Sequence, residues 1–308
     1  MRNICSIGEE DGVASVVALM LLLAVIVTFL SLYATTYLPA LKQQAEIEQV
    51  TSVKEAFMRF DNDMEQVISD KKNASYGEMI RLGGGEILIN PEKSSGTLSV
   101  GEPRLLYTVT LTGSSGVESF SGSMANVTYI PSYSFWEDQG YSWQYGYINV
   151  TKGKKETPLS YNTMNDVNEK WIPGYAGKFL EITPVPNATT SSSLDGLVIT
   201  AVTIVPSDVP DEKDGTSGNG ACVLRINSTT TKISRDNVQG DLTVSIRAED
   251  ADTPLYSYLN SYAHQQVSGI GQSYSLSQPD SSSLTIPQDP DHPVTVTLNE
   301  VRISVYVQ

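Results

Sequence analysis

Hydrophobic and polar positions divide the chain into three regimes. From Val13 to about Tyr33 nearly every residue is apolar or small, and no charged residue lies between Asp11 and Lys42. At about 1.5 Å per helical residue, such a run covers the roughly 30 Å hydrocarbon core of a bilayer. The pattern predicts a polar leader over 1–12 and a transmembrane helix over 13–38. Beyond Pro39 the apolar residues Val50, Val53, Phe57, Phe60, Met64 and Val67 recur three and four apart among polar neighbours. This spacing predicts an amphipathic continuation of the helix over 39–72, with Asn73, Ser75 and Gly77 as its stop signal. The whole forms a near-continuous rod of roughly 85–90 Å. Its stripe suits packing on the chain's own sheet better than a coiled coil, because the clean repeat falls short of three heptads.

From Met79 onward the period changes to two. "EILIN", "LLYTVTLTG", "GSMANVTYI", "GYSWQYGYINVT", "LVITAVTIV", "CVLRINSTTTKI", "DLTVSIRAED" and "VTVTLNEVRISVYVQ" alternate apolar and polar residues between Gly, Pro, Asn, Asp and Ser breaks. They read as strands. The expected fold class is α+β: a long N-terminal helix packed on a large antiparallel, β-rich, sandwich-like domain over 79–308. A short helix is expected over 254–265, where Leu255, Tyr258, Leu259 and Tyr262 share a face. The segment "PSDVPDEKDGTSGNG", 206–220, reads either as a linker between two lobes or as a long hairpin loop.

The N-terminal segment does not read as an ordinary secretory signal. Its apolar core is too long, Glu9, Glu10 and Asp11 make its flank acidic, and no small-residue cleavage site follows it. The stretch "EDGVASVVALMLLLAVIVTFLSLYA" resembles the start of archaeal type IV pilin-like proteins, in which a polar leader ends in a small residue just before an apolar helix. The matching residues here are Gly12, at the end of the leader, and Val13 to Val17. The resemblance covers about 30 residues and departs from the family at Asp11, where many members carry Lys or Arg, and in lacking the Pro of the common variant. It implies cleavage between Gly12 and Val13 by a prepilin-peptidase-like enzyme, with the helix retained in the mature chain. An uncleaved single-pass anchor is the competing reading. In both readings the remainder lies outside the cytoplasm, with membrane lipid as a partner. The resemblance adds self-assembly or pilin-like neighbours.

A net charge of −15 argues against a nucleic-acid partner and against docking on anionic headgroups. Of the two cysteines, Cys5 precedes the cleavage position, which leaves Cys222 as a small buried hydrophobe. N-x-S/T triplets at Asn73, Asn126, Asn149, Asn187 and Asn227 are candidate glycosylation acceptors. Of these, Asn126 and Asn149 fall within expected strands, whereas Asn73 and Asn187 fall in turns.

The sequence assigns no catalytic residues, cofactor or metal site. The two histidines, His264 and His292, stand at no metal-ligand spacing. "GTSGN" at 215–219 misses the nucleophile-elbow pattern at Asn219. "GGG" at 83–85 reads as a bend rather than a phosphate cradle, and the acidic loop around Asp208, Asp211, Glu212 and Asp214 lacks calcium-loop spacing. One feature stands out. In "YSWQYGY", Tyr141, Trp143, Tyr145 and Tyr147 alternate, which puts all four rings on one face of one strand. Together with Tyr129, Tyr133, Phe135 and Trp136 they suggest an aromatic hairpin. That face is either core, lying against Phe57 and Phe60, or an exposed surface for sugar rings or a neighbouring subunit. The expected function is surface assembly or adhesion without catalysis. The alternative is an anchored extracytoplasmic module that binds a carbohydrate or protein.

Overall fold

The computed structural model describes residues 10–84, 94–113, 116–160, 164–187, 194–238, 242–248, 281–286 and 294–308. Helix α1 (Glu10–Leu32), a π-helical turn (Tyr33–Tyr37) and helix α2 (Leu38–Asp70) follow one another without a break. The π turn has a local cause. Pro39 offers no N–H and its ring crowds the preceding turn, while the Leu38 N–H reaches back five residues to the Tyr33 carbonyl. The large apolar side chains of α1 are between 48% and 71% exposed around its whole circumference. It is a helix long and apolar enough to span a membrane.

Helix α2 behaves differently. Val50, Val53, Phe57, Phe60, Met64 and Val67, the stripe read from spacing, are all buried. The helix ends at Lys71, a non-glycine residue in the left-handed region (φ 51°) whose N–H bonds the Val67 carbonyl. The Lys71 carbonyl accepts from Thr230 Oγ1 at 3.0 Å, and its ammonium pairs with Glu181. The stop therefore comes before Ser75 and Gly77. Both lie in the first strand, which begins at Ala74 rather than Met79.

Fifteen strands are described: β1 (Ala74–Arg81), β2 (Ser95–Val100), β3 (Arg104–Gly113), β4 (Gly116–Met124), β5 (Val127–Ser132), β6 (Gln139–Gln144), β7 (Tyr147–Lys152), β8 (Lys155–Pro158), β9 (Leu180–Pro186), β10 (Leu194–Pro206), β11 (Gly215–Gly218), β12 (Ala221–Val238), β13 (Leu242–Ala248), β14 (Ser281–Ile286) and β15 (Val294–Val307). Between β8 and β9 run α3 (Met164–Asp166), a second π turn (Val167–Trp171) and α4 (Ile172–Phe179). One sheet has the order β1-β12-β15-β10-β4-β3-β13-β14, with β9 also on β10; the other has the order β11-β2-β5-β6-β7-β8. The chain passes repeatedly between the two sheets, and the buried residues of both form one core with the α2 stripe.

The sandwich-like arrangement agrees with the sequence pattern, but the sheets are not wholly antiparallel. β10 runs parallel to β15 from Gly196↔Thr295 to Pro206↔Val305, and meets β4 in parallel at Ile204↔Met124. A strand paired in this way is covered on both faces. That accounts for the nearly continuous apolar text of β10, in which Ile199, Ala201, Val202 and Ile204 are all buried. Within 206–220, β11 pairs with β2, and Lys213 bridges to Val307. "EILIN", the expected helix at 254–265, His264, His292, Cys5 and Gly85 lie outside the described residues.

Candidate functional site: an aromatic hairpin and the cavity beside it

The aromatic run does not form a single strand. Tyr145 (φ 49°) and Gly146 (φ 68°) are both left-handed and make a two-residue turn between β6 and β7. Tyr141 and Trp143 therefore sit on β6, Tyr145 in the turn and Tyr147 on β7. The alternation that suggested four rings on one face is interrupted at Gly146. At that position a β-carbon would lie 2.3 Å from the Tyr175 ring, so both backbone angle and space require glycine.

Burial assigns these rings to the core. Tyr141 and Trp143 are fully buried and Tyr147 nearly so, which leaves none of the three as an exposed stacking surface. Phe57 packs on Tyr141 with centroids 5.9 Å apart, and Phe60 meets Trp143 edge-on at 5.5 Å. Such pairs add about 0.5–1.5 kcal/mol beyond the area they bury. Tyr129, on the neighbouring β5, is buried too and donates to the Leu82 carbonyl at 3.0 Å.

The end of the hairpin is tied down from three sides. Trp171 Nε1 donates to the Tyr145 carbonyl at 3.0 Å, the Tyr145 N–H meets Met124 Sδ at 3.2 Å, and the rings of Trp171, Tyr175 and Phe179 follow in series, the first pair stacked and the second tilted. Deeper in, Trp143 Nε1 donates to Asp61 Oδ1 at 2.7 Å. Burial pushes the Asp61 carboxyl up to about 6; the Trp143 hydrogen bond pulls it back in part, Glu65 raises it and Lys178 lowers it. Lys178 itself pairs with Glu65 at 2.5 Å and lies over the Trp171 ring at 5.9 Å. This ionic group fastens α4 to α2.

Beside the turn opens a cavity of about 420 Å³, lined by Glu102, Pro103, Arg104, Met124, Asn126, Gln144 and Tyr145. Its size lies within the range of small-ligand sites, about 300–1,000 Å³. The lining offers one guanidinium, one carboxylate, two amides and a phenol around the apolar Pro103 and Met124. That set matches a hydroxyl-rich ligand. Of the four rings singled out in sequence, only Tyr145 reaches it. The polar lining was not evident in the sequence, where its sole trace is the Gly-Glu-Pro-Arg loop between two strands.

The sequons separate by burial. Asn149 is fully buried on β7 and cannot carry a glycan in the folded chain. Asn126 is exposed in the link between β4 and β5, not in a strand, and Asn227 is exposed on β12. Asn73 is exposed, and its Oδ1 accepts from the Thr230 N–H at 2.8 Å. Asn187 Nδ2 donates to Asp195 Oδ1 at 2.7 Å. Gly12 and Val13 lie in the first turn of α1.

Cys222 is buried, with Sγ 3.6 Å from the Ile80 carbonyl, and burial pushes its thiol up to about 11. Around the acidic loop, Asp208 pairs with Arg302 and Glu212 accepts from Ser207. Among the described residues no group of three or more His, Cys, Asp or Glu is placed to hold a metal ion. No family model, characterised protein or solved structure matches the chain.

Proposed function

We propose that this chain is a membrane-anchored archaeal surface protein of the type IV pilin-like class, acting through assembly or adhesion rather than catalysis, with its β-rich domain outside the cell. The observation that carries this reading is the unbroken passage of one helix from an apolar, exposed half into a half whose stripe lies in the domain core. A helix apolar on every face needs lipid or neighbouring copies of itself as its solvent. The same α1 surface serves both roles, first as anchor and then as contact between subunits. The partners are membrane lipid, like subunits and a processing enzyme that cuts between Gly12 and Val13.

A second reading, an uncleaved anchored module that binds a carbohydrate or protein, draws support from the cavity beside Tyr145. Intact-mass analysis of protein isolated from its native membrane separates the two. A mature chain beginning at Val13 is the expected result. A chain still beginning at Met1 overturns processing and turns attention to the cavity.

A further inference from the structure

The hairpin β5–β6 runs along α2 in a definite order. From the α1 end of the helix, Glu46 meets Ser134 and Phe135, then Phe57 meets Tyr141, then Phe60 meets Trp143. The loop joining the two strands, 133–138, therefore lies at the end of the domain nearest α1. It is fixed there: Glu46 Oε1 and Oε2 accept from the backbone N–H groups of Ser134 and Phe135 at 3.0 and 2.9 Å. The Lys42 ammonium lies over the Phe135 ring at 5.5 Å, and the Tyr133 N–H closes the loop on Asp138 Oδ1 at 2.9 Å. Lys42 and Glu46 are buried, whereas Phe135 and Trp136 are among the exposed large apolar residues, at 39% and 36%.

Lys42 also marks a depth. The uncharged run Gly12–Leu41 measures about 45 Å at the helical rise, matching a bilayer of about 40–45 Å with its headgroup regions included. The helix's own Tyr33 and Tyr37 pair at 5.5 Å just before it, at the level where aromatic belts form. The loop touching Lys42 thus stands at the headgroup boundary. Its two carboxylates are partnered within the protein, Asp138 by the Tyr133 N–H and the exposed Glu137 by Lys152 at 3.2 Å, so the loop offers two aromatic rings flanked by partnered acidic groups.

We propose that the 133–138 loop is a second membrane contact, in which Phe135 and Trp136 insert among the headgroups of the bilayer that α1 crosses and fix the height and tilt of the β domain. This rests on the membrane reading above and adds to it a lipid-interface site formed by residues distant in sequence from the anchor.

Full-length protein reconstituted into phosphatidylcholine vesicles tests it. Flotation of the vesicles reports the anchor. Tryptophan quenching by lipids spin-labelled near the headgroup or deep in the acyl chains reports the loop. Trp143 is fully buried, and it and Trp171 belong to the far end of the hairpin, by Asp61, about 25–30 Å further along the helix. The expected result is flotation, stronger quenching by the shallow label than by the deep one, and loss of most of that quenching in Trp136→Phe. Flotation with Trp136 open to aqueous acrylamide and untouched by either lipid label overturns the loop contact and leaves the anchor standing. Protection from both acrylamide and lipid labels assigns the loop to a protein neighbour and overturns it as well. Failure to float overturns the anchor and, with it, this proposal.

Discussion

Helices α1 and α2 run into one another through a single π turn but are held by different surroundings. In α1 the side chains are apolar on all sides and none of the large ones is buried by the protein. In α2 a single stripe is buried, and the remaining faces carry Lys, Glu, Gln and Asp. The protein itself thus covers only the second half, whose stripe belongs to a core that includes residues more than 250 positions away, from Val50 to Val307. Backbone geometry alone does not say which solvent a helix needs; the distribution of polarity around its axis does.

Substitutions sharpen this contrast. The largest effect is expected at the contact between α2 and β6. Phe60→Ala or Trp143→Ala removes a fully buried ring and should destabilise the β domain by about 3–5 kcal/mol, read by denaturant unfolding in mild detergent. Leu22→Ala in α1 should shift the same transition by less than about 0.5 kcal/mol. Equal effects at the two sites would erase the distinction between the halves.

Next comes the turn. Gly146→Ala must hold alanine at φ 68° against the Tyr175 ring, and should cost about 1–3 kcal/mol in the same assay. Replacing the exposed Gly153, also left-handed but with open space around it, should cost less.

The smallest effect depends on pH. The Asp61 carboxyl is raised from 3.8 to about 6 in the fold, so the native state holds that proton more tightly than the unfolded chain. Its contribution favours folding at low pH and declines as pH rises between 3.8 and about 6. Asp61→Asn keeps an acceptor for Trp143 Nε1 while removing the charge. The variant should gain about 1–2 kcal/mol over the parent above pH 6 and little below pH 4, with the lost attraction to Lys178 limiting the gain. A gain independent of pH would show that Asp61 is ionised in both states.

The α2 stripe was fully legible because helical burial repeats along the sequence itself. Each of Val50, Val53, Phe57, Phe60, Met64 and Val67 carries its own evidence. Lys42, Glu46 and Gln49 were not legible. Polar residues read as solvent-facing, and what buries Glu46 is a pair of backbone N–H groups nearly ninety residues away. The hairpin turn at Tyr145–Gly146 was hidden by an alternation that continued through it, with one glycine as the only signal.

The chain has 16 tyrosines to 6 phenylalanines, yet Tyr107, Tyr129 and Tyr141 are fully buried. Their hydroxyls are satisfied from within: Tyr107 Oη donates to the carbonyls of Phe179 and Val202, Tyr129 Oη to that of Leu82, and Tyr141 Oη accepts from Gln139. Composition cannot distinguish a wet hydroxyl from one answered by a distant carbonyl. Parallel pairing of β10 with β15 was not read either: the apolar run of β10 marks a strand covered on both faces, but not the direction of its neighbours.

The position of β15 has a consequence in time. It lies between β10 and β12 in the middle of the large sheet, contributing Val301, Ile303 and Val305 to the core, yet it follows every other described strand in the chain. During synthesis α1 and α2 emerge before the strands, and β15 emerges after every other described strand. Until then β10 and β12 expose unpaired edges, and the α2 stripe has only part of its core. A nascent chain of this kind goes without a finished domain until residues 294–307 arrive, with two strand edges and part of the helix stripe open to wrong partners in the meantime.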